Sequence, residues 1–509
     1  MTARPIFAND GIISLTNNIS RQSGTPPRLA AIHALTQAPL DLLIIGGGIV
    51  GAGIARDAAM RGLRAGLVEQ NDFASGTSSR SSRLLHGGLR YLAQGRVGLV
   101  RESSLEKTII HHIAPHLAQP LAFVFPTYRG NRKWVLWQLK LGVKIYDLLC
   151  GGRNLGKSTA LTPTDVLRAV PALNPEGLTG AVRYYDGFTN DARLVLDTLR
   201  SAAKHGAIVL NYSPFRNATS GEFWQCEIED ALSGKKLTVR ARAVVNATGP
   251  WAGGLPHSRV KLRLTKGIHL VVDNSRLPLR ETVVMTEGKR ILFAIPWGAR
   301  TILGTTDTDY TGPLDRVFAE TADIDYILAV TNGFFPNAKL TATDVISTWA
   351  GLRPLIANPN GSPSDISRSH QIHNPEPGWW DVAGGKLTTY RLMAEQTVDR
   401  IVKSSATRNF PAGKIAPCRT ADEPLLPPAE TDGISGILPP ECTRETVRHY
   451  CENEWALHLD DVMIRRTRWQ SYLADAPARA PEVAAWMSEF LGWPPALRSD
   501  EINRYRALA

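Results

Sequence analysis

Three glycines and an acid are the residues of this 509-residue chain whose spacing most directly specifies chemistry. Gly46, Gly48 and Gly51 stand in GxGxxG spacing after the apolar run Asp41 to Ile45, and Glu69 closes a second apolar run 18 residues beyond Gly51. In such a unit the first glycine makes the tight turn, the second lets the backbone approach a pyrophosphate, and the third lets the helix pack on the strand. The helix expected from Ala52 to Arg61 turns its N-terminus, with free N–H groups and the positive end of its dipole, toward the diphosphate. A carboxylate at Glu69 accepts from both hydroxyls of an unphosphorylated ribose, which selects FAD or NAD over NADP. A glycine-rich turn in an ordinary βαβ unit would lack the full order of strand, helix, second strand and terminal acid.

Phe73 to Leu92 (FASGTSSRSSRLLHGGLRYL) is dense in small hydroxyl residues, arginine and glycine. Beside a pyrophosphate these supply hydrogen bonds and allow close backbone approach. Ser78, Ser79, Arg83 and His86 are expected along the pyrophosphate and the ring it carries. A buried strand running from Val239 into Ala247-Thr248-Gly249 returns the chain to the cofactor at Gly249. Gly384-Gly385-Lys386-Leu387-Thr388 opens a helix from Leu387 through Val402, a second place where N–H groups meet a polar group.

These stretches, GGGIVGAGIARDAAMRGL followed by TSSRSSRLLHGGLRYL, resemble the FAD-dependent, respiratory, quinone-linked glycerol-3-phosphate dehydrogenases. Lys266-Gly267-Ile268-His269 matches the family's KGxH, and Ile302 to Asp307, AGLRPL around Arg353, ISRSH around Arg368 and Gly384 to Arg391 match as well. The chain departs from the family at Val50, where asparagine is usual, and at Arg83, where lysine is common. The resemblance spans roughly residues 41 to 400. It implies noncovalent FAD, oxidation of sn-glycerol 3-phosphate to dihydroxyacetone phosphate, and a membrane quinone as electron acceptor. It also implies that Arg90, Tyr91, Arg353, Arg368 and Lys386 line the substrate pocket.

A phosphorylated secondary alcohol needs its phosphate anchored so that the reacting carbon is held in position, and the planar fork of arginine suits that task. Which cation meets phosphate and which polarises the developing carbonyl stays open among Arg90, Arg353, Arg368 and Lys386. His269 is the expected base, because imidazole titrates near the working pH. A lone histidine at a strand start is more often structural, and the KGxH match is what favours the catalytic reading. No metal ligands are expected.

The bulk composition fits such an enzyme. Hydrophobic residues make up 43% and charged residues 21%, as in a soluble globular protein of two or three domains. No apolar run reaches the roughly 18 residues of a membrane span. The five cysteines are scattered, never in CxxC, which argues for a reducing compartment and against a zinc site or disulfide framework. A net charge of +11 suits an anionic partner. The charge alone does not choose among a phosphorylated substrate, an anionic lipid surface and nucleic acid; with the resemblance added, the expected location is cytoplasmic, peripheral to the inner face of the cytoplasmic membrane, with an anionic lipid surface as partner and a homodimer left open.

The elements that must position these residues read as α/β: a two-dinucleotide-fold (Rossmann-like) FAD domain with an inserted antiparallel substrate sheet and a C-terminal helical cap. The expected divisions are a disordered tail at 1–40, FAD-domain segments at 41–127, 164–255 and 345–405, the substrate sheet at 256–344, a Pro-rich linker at 406–440 and the cap at 441–509. Residues 128–163 read as a basic amphipathic segment facing a membrane, with WVLWQLKLGVKIYDLL as its helix. A core-facing helix with a solvated basic edge would read the same way. Gly151 to Ser158 fits GxxxxGK[ST] literally but lacks the strand before and the helix after, so it reads as a loop.

Three rival functions remain on the sequence alone. An amino-acid or 2-hydroxyacid oxidase would keep the fold and change the substrate. A nucleic-acid-binding protein would use the basic stretch Arg129 to Lys157 but leave the flavin motifs unexplained, so no nucleic acid is expected. A P-loop NTPase centred on Lys157 is weakened by its flanks.

Overall fold

The computed structural model describes residues 28–92, 95–130, 135–151, 154–288, 290–357, 370–404 and 415–508. Two sheets carry the fold among these residues. The first is built on five parallel strands in the order Trp379–Gly384, Lys236–Asn246, Leu40–Ile45, Ala65–Val68, Ile208–Leu210. Its central strand, LDLLII, is apolar and buried except at Asp41, as befits a strand covered on both faces. The helices Ile49–Met60, Asp191–Lys204 and Tyr390–Lys403 cover one face and share one hydrophobic core with it.

The second sheet is larger and less local than the sequence suggests. The alternating segment from 261 to 307 does form antiparallel strands, Leu262–Asp273, Thr282–Glu287, Arg290–Trp297 and Arg300–Gly304. The sheet then recruits Ala118–Tyr128, Leu178–Thr189 and Leu84–Leu85 from segments assigned above almost wholly to the FAD domain and Thr159–Leu161 from the expected membrane-facing segment, and Val345–Ile356 pairs along Leu262–Asp273. The expected boundaries at 127, 256 and 344 therefore do not separate the sheets. The joint is a short parallel pairing of Thr282 and Val283 with Phe123 and Val124, a contact of high sequence separation that no local pattern encodes.

Two other expectations are corrected. Residues 1–27 lie outside the described residues, but Arg28–Gln37 is a helix, not tail. Its Leu35 is fully buried against Gly66, and Arg28 donates to Asp230 at 2.6 Å and to the Asn211 carbonyl at 2.8 Å. Of the expected linker, 405–414 lie outside the described residues, and the rest is packed. Leu425 and Leu426 enter the core beneath the first sheet, and the buried Arg56 donates to the carbonyls of Thr420 and Glu423. Proline content there reflects irregular backbone on a surface, not a free joint.

Residues Arg444–Asn453, Ala476–Leu491 and Pro495–Leu508 form a helical unit with its own core. Buried ion pairs fasten it to the turn after strand Ala65–Val68 and to helix Asp191–Lys204: Arg465 and Arg466 to Asp72, Arg468 to Asp191, and Glu454 to Arg193. The segment after residue 134 is the helix Leu136–Leu149. It buries Leu139, Val143 and Tyr146, yet leaves Trp137 63%, Leu141 54% and Leu148 77% exposed, with Lys140 and Lys144 exposed beside them. The GxxxxGK stretch is a loop in its described part, held by Asp147, which accepts from the backbone N–H and hydroxyl of Ser158.

Candidate active site

The first recess lies at the carboxyl ends of the strands Leu40–Ile45 and Lys236–Asn246, where the chain leaves the sheet in opposite directions. Open α/β sheets bind their ligands at such a point. Gly46 has φ +112°, and a Cβ there would meet the Ala247 carbonyl oxygen at 2.6 Å, so only glycine lets the two strand ends close up. A Cβ on Gly51 would overlap the Gly46 carbonyl oxygen. Gly51 thus sits beneath the groove and permits the turn; it does not line it. Gly46, Gly48, Glu69, Ser78 and Gly249 do line it, as do Gly384, Gly385, Lys386 and Leu387.

The residues of this groove fit the diphosphate and ribose half of FAD. Helix Ile49–Met60 starts at Gly48, which has no side chain to cap it; the Ile49 N–H donates to Ser78 Oγ at 3.0 Å, and the N–H groups that follow in the first turn are left to meet an anion. Glu69 ends its strand with one carboxylate oxygen accepting from Gly47 N–H at 2.7 Å and the other from Asn71 N–H at 2.9 Å. Burial pushes its pKa up while those bonds oppose the shift. Each oxygen keeps a lone pair for a ribose hydroxyl.

A second cavity, of about 770 Å³, continues from the groove and shares Thr77, Ser78, Pro354 and Gly385 to Leu387 with it. One wall is polar, with Ser82, His269, Asp307, Arg353 and Lys386. The other is apolar, with Leu84, Phe123, Phe125, Val284 and Phe293. His86 and Thr388 line it together, the His86 N–H donating to Thr388 Oγ1 at 3.0 Å. Tyr91 lies at its edge under Lys386, whose Nζ stands 4.2 Å from the ring centroid and 3.2 Å from Ser103 Oγ.

Arg353 reaches the cavity from strand Val345–Ile356 across Gly267, its partner strand's glycine. Its guanidinium donates to Thr306 O at 3.1 Å, to Asp307 Oδ1 at 3.1 Å and to Thr305 Oγ1 at 3.0 Å. His269 lies on the adjoining strand, 2% exposed, with Trp349 stacked on it at 5.1 Å and Ser82 Oγ 2.8 Å from its Nε2. Burial, and then the Arg353 and Arg468 charges, hold its pKa down to about 3. This corrects the expectation of an imidazole titrating near the working pH. His269 is neutral there, as a proton acceptor must be, but a weaker base than a free histidine.

Besides Gly51, two expected cofactor residues line neither the groove nor the cavity. Ser79 is buried below the groove, 3% exposed. Arg83 is fully enclosed. It donates to Thr189 O at 2.9 Å and to Ile437 O at 2.8 Å, and lies over the Trp297 ring at 4.3 Å. It joins the second sheet to the segment leading into the cap, and burial lowers its pKa to about 9. Alternation in TSSRSSR turns some side chains to the ligand and some to the core, which composition alone does not resolve. The Arg90 side chain and all of Arg368 lie outside the described residues. Ser82, Asp307 and Trp349 were missed by sequence reasoning; only the match of GTTD to the family pointed near Asp307.

Comparison with known proteins bears on this site. Residues 41–400 match the family model described as FAD dependent oxidoreductase, and residues 438–498 match the C-terminal domain of alpha-glycerophosphate oxidase. The aerobic glycerol-3-phosphate dehydrogenase of Bacillus subtilis (strain 168) is 40% identical over 402 residues, 77% of this chain and 71% of that protein. The solved glycerol-3-phosphate dehydrogenase from Bacillus halodurans complexed with FAD is 31% identical, covering 95% of this chain and 97% of its own, with a TM-score of 0.76. The L-alpha-glycerophosphate oxidase of Mycoplasma pneumoniae with FAD bound, at 16% identity, 72% of this chain, 95% of its own and TM-score 0.59, shares the fold.

Proposed function

The chain belongs to the FAD-dependent glycerol-3-phosphate dehydrogenases, and on that premise we propose how its residues carry out the oxidation. The reaction is sn-glycerol 3-phosphate to dihydroxyacetone phosphate, in which FAD supplies the hydride acceptor. The observation that carries the reading is the continuity of groove and cavity through Gly385, Lys386 and Leu387, which brings a dinucleotide-shaped recess to a cationic, half-apolar chamber.

Within that chamber Lys386 and Arg353 bind the anionic end and orient the alcohol, with Tyr91 bracing Lys386. Holding the reacting carbon in one pose is worth several orders of magnitude in rate. His269 takes the hydroxyl proton. Its depressed pKa rises when a phosphate dianion offsets the neighbouring Arg353 charge, so substrate binding itself strengthens the base. The apolar wall of Phe123, Phe125 and Phe293 keeps water from the reacting carbon.

The electron acceptor proposed is a membrane quinone, and the docking element is the helix Leu136–Leu149. What supports it is the exposed stripe of Trp137, Leu141 and Leu148 with flanking Lys140 and Lys144, the arrangement that seats a helix in an anionic interface. No helix of the described residues is long and apolar enough to cross a membrane. The first experiment is an anaerobic absorption spectrum of the FAD-loaded protein. The flavin band should bleach on adding sn-glycerol 3-phosphate and stay unchanged with lactate or D-alanine. A band that persists with the phosphate and bleaches with an amino or hydroxy acid would overturn the substrate.

A further inference from the structure

His269 is built into the wall of the cavity in a way that leaves neither ring nitrogen open to it. Trp349 covers one face at an interplanar angle of 19°. Gly304 closes on its Cδ2 edge, where even an added Cβ would come to 2.5 Å. Nδ1 is buried with no hydrogen-bond partner. The remaining atom, Nε2, is met by Ser82 Oγ at 2.8 Å, and Ser82 is half-buried and lines the cavity. Any path from a substrate hydroxyl to this imidazole therefore runs through the serine.

We propose that Ser82 is the group that meets the C2 hydroxyl of the substrate, its Oγ accepting that proton while its own proton passes to His269 Nε2. This rests on the reading of His269 as the base and adds the residue through which it acts. A hydroxyl suits the task, because one O–H donates inward while two lone pairs remain to accept. The C2–H bond breaks with its electron pair going to FAD as hydride, the O–H pair becomes the second bond of the ketone, and the alcohol is oxidised as FAD is reduced. The proton from the substrate ends on Ser82 and the serine's former proton on Nε2. When product leaves, the same two transfers run backward to water. The working tautomer of His269 carries its hydrogen on Nδ1.

The serine is held for this role. Ser81, next to it, donates its N–H and its Oγ–H to Asp191 Oδ2 at 3.0 and 2.7 Å, and its own Oγ accepts from Arg83 N–H at 3.0 Å. Trp349, the residue stacked on His269, donates its indole N–H to Ser81 O at 3.1 Å, so one side chain touches the imidazole and the peptide group that leads into Ser82. Asp191 is itself fixed by Arg468 of the C-terminal unit. Directly after Ser82, Arg83 takes φ +59°, a left-handed conformation that a non-glycine residue holds only where its surroundings demand it.

The test uses FAD-loaded wild type, Ser82→Ala, Ser82→Thr and His269→Asn. Anaerobic stopped-flow should show Ser82→Ala reducing its flavin about 10²- to 10³-fold more slowly, the usual worth of a positioned proton-transfer group, with Ser82→Thr restored to within about tenfold of wild type. Affinity for inorganic phosphate, read by calorimetry, should be unchanged in both serine variants. In the resting enzyme labelled with ¹⁵N-histidine, the His269 Nε2 resonance should be that of an unprotonated acceptor and should move in Ser82→Ala. If Ser82→Ala reduces within about threefold of wild type while His269→Asn is inactive, a span far below any general-base contribution, the histidine meets substrate directly and the relay is wrong. A protonated Nε2 in the wild type would also overturn it. A fully active His269→Asn would instead remove the base reading itself.

Discussion

Gly267→Ala should slow substrate oxidation by about two orders of magnitude while leaving the fold and the flavin in place. Gly267 lies on strand Leu262–Asp273, paired with Gly351, and its missing side chain is where Arg353 crosses into the cavity. A Cβ there would lie 2.6 Å from Arg353 Cζ and 2.5 Å from one of its terminal nitrogens. Ordinary contact begins near 3.5 Å, so something must shift by about 1 Å. The strand cannot give, because it is hydrogen-bonded along both edges. The guanidinium, at the end of a flexible stem, moves instead and leaves its places on Thr305, Thr306 and Asp307. A misplacement of about 1 Å at a catalytic group costs about 10²-fold, or about 2.7 kcal/mol of barrier. Stability falls only modestly, because the displaced guanidinium, 20% exposed where it now lies, can take water in place of its lost partners, and alanine restricts the unfolded chain by roughly 0.4–1 kcal/mol relative to glycine. The assay is anaerobic flavin reduction by sn-glycerol 3-phosphate, with the flavin-to-protein absorbance ratio and a melting curve beside it. A Gly267→Ala enzyme that reduces within about twofold of wild type would refute the placement of Arg353 at the reacting group, because the predicted span is about 10².

Gly51→Ala should yield protein without FAD, because its Cβ would overlap the Gly46 carbonyl, backbone that cannot yield without opening the phosphate turn; a normal flavin spectrum would contradict this. Replacing Trp137, Leu141 and Leu148 together by serine should abolish sedimentation with anionic vesicles while leaving oxidation with a soluble dye intact. Partial burial of three large side chains is worth about 3 kcal/mol, roughly 10²-fold in partitioning, and unchanged vesicle binding would place docking elsewhere. The depressed pKa of His269 also fixes a sign. Its folded value of about 3 lies below the unfolded value near 6.5, so the unfolded chain binds the extra proton between them, and stability falls as pH drops through that window. Chemical denaturation should show wild type losing about 2 kcal/mol more than His269→Gln between pH 7 and pH 5, and equal losses would show that the imidazole is not held neutral.

The parts of the site visible in the sequence are those whose geometry is local. A glycine turn, the helix it opens and the acid at the end of the next strand sit within thirty residues or so, and backbone sterics fix their relation before any packing is known. The strands from 262 to 304 were equally legible, because one buried face imposes alternation. Arg83 and Ser79 show where this stops. Both stand in the motif that touches the cofactor, yet one joins the second sheet to the segment before the cap and the other is buried, since a segment packed between two sheets has an inward side as well as a ligand side. The strand Ala118–Tyr128 could not be assigned to the second sheet, because its pairing to Thr282 and Val283 spans more than 150 residues of chain.

The same reasoning explains why His269 could be found while its chemistry could not. Its type and motif name a candidate base, but its pKa is set first by burial, to which the stacked Trp349 contributes, and then by Arg353 and Arg468, none of them near it in sequence. The C-terminal unit enters here as more than a lid. Arg468 holds Asp191, Asp191 holds Ser81, and Ser81 is the neighbour of the serine that closes Nε2. Arg465 and Arg466 seat the same turn on Asp72, four residues beyond the strand that carries Glu69's approach to the ribose. Arg465 also meets Asp460 and Asp461, but Arg468 is buried against Asp191, and removing Asp191 leaves its charge uncompensated, at a cost of about 3–5 kcal/mol. The unit is thus tied at one end to the cofactor strand and at the other to the proton path, so that undocking it disturbs both half-sites through contacts already present in the fold.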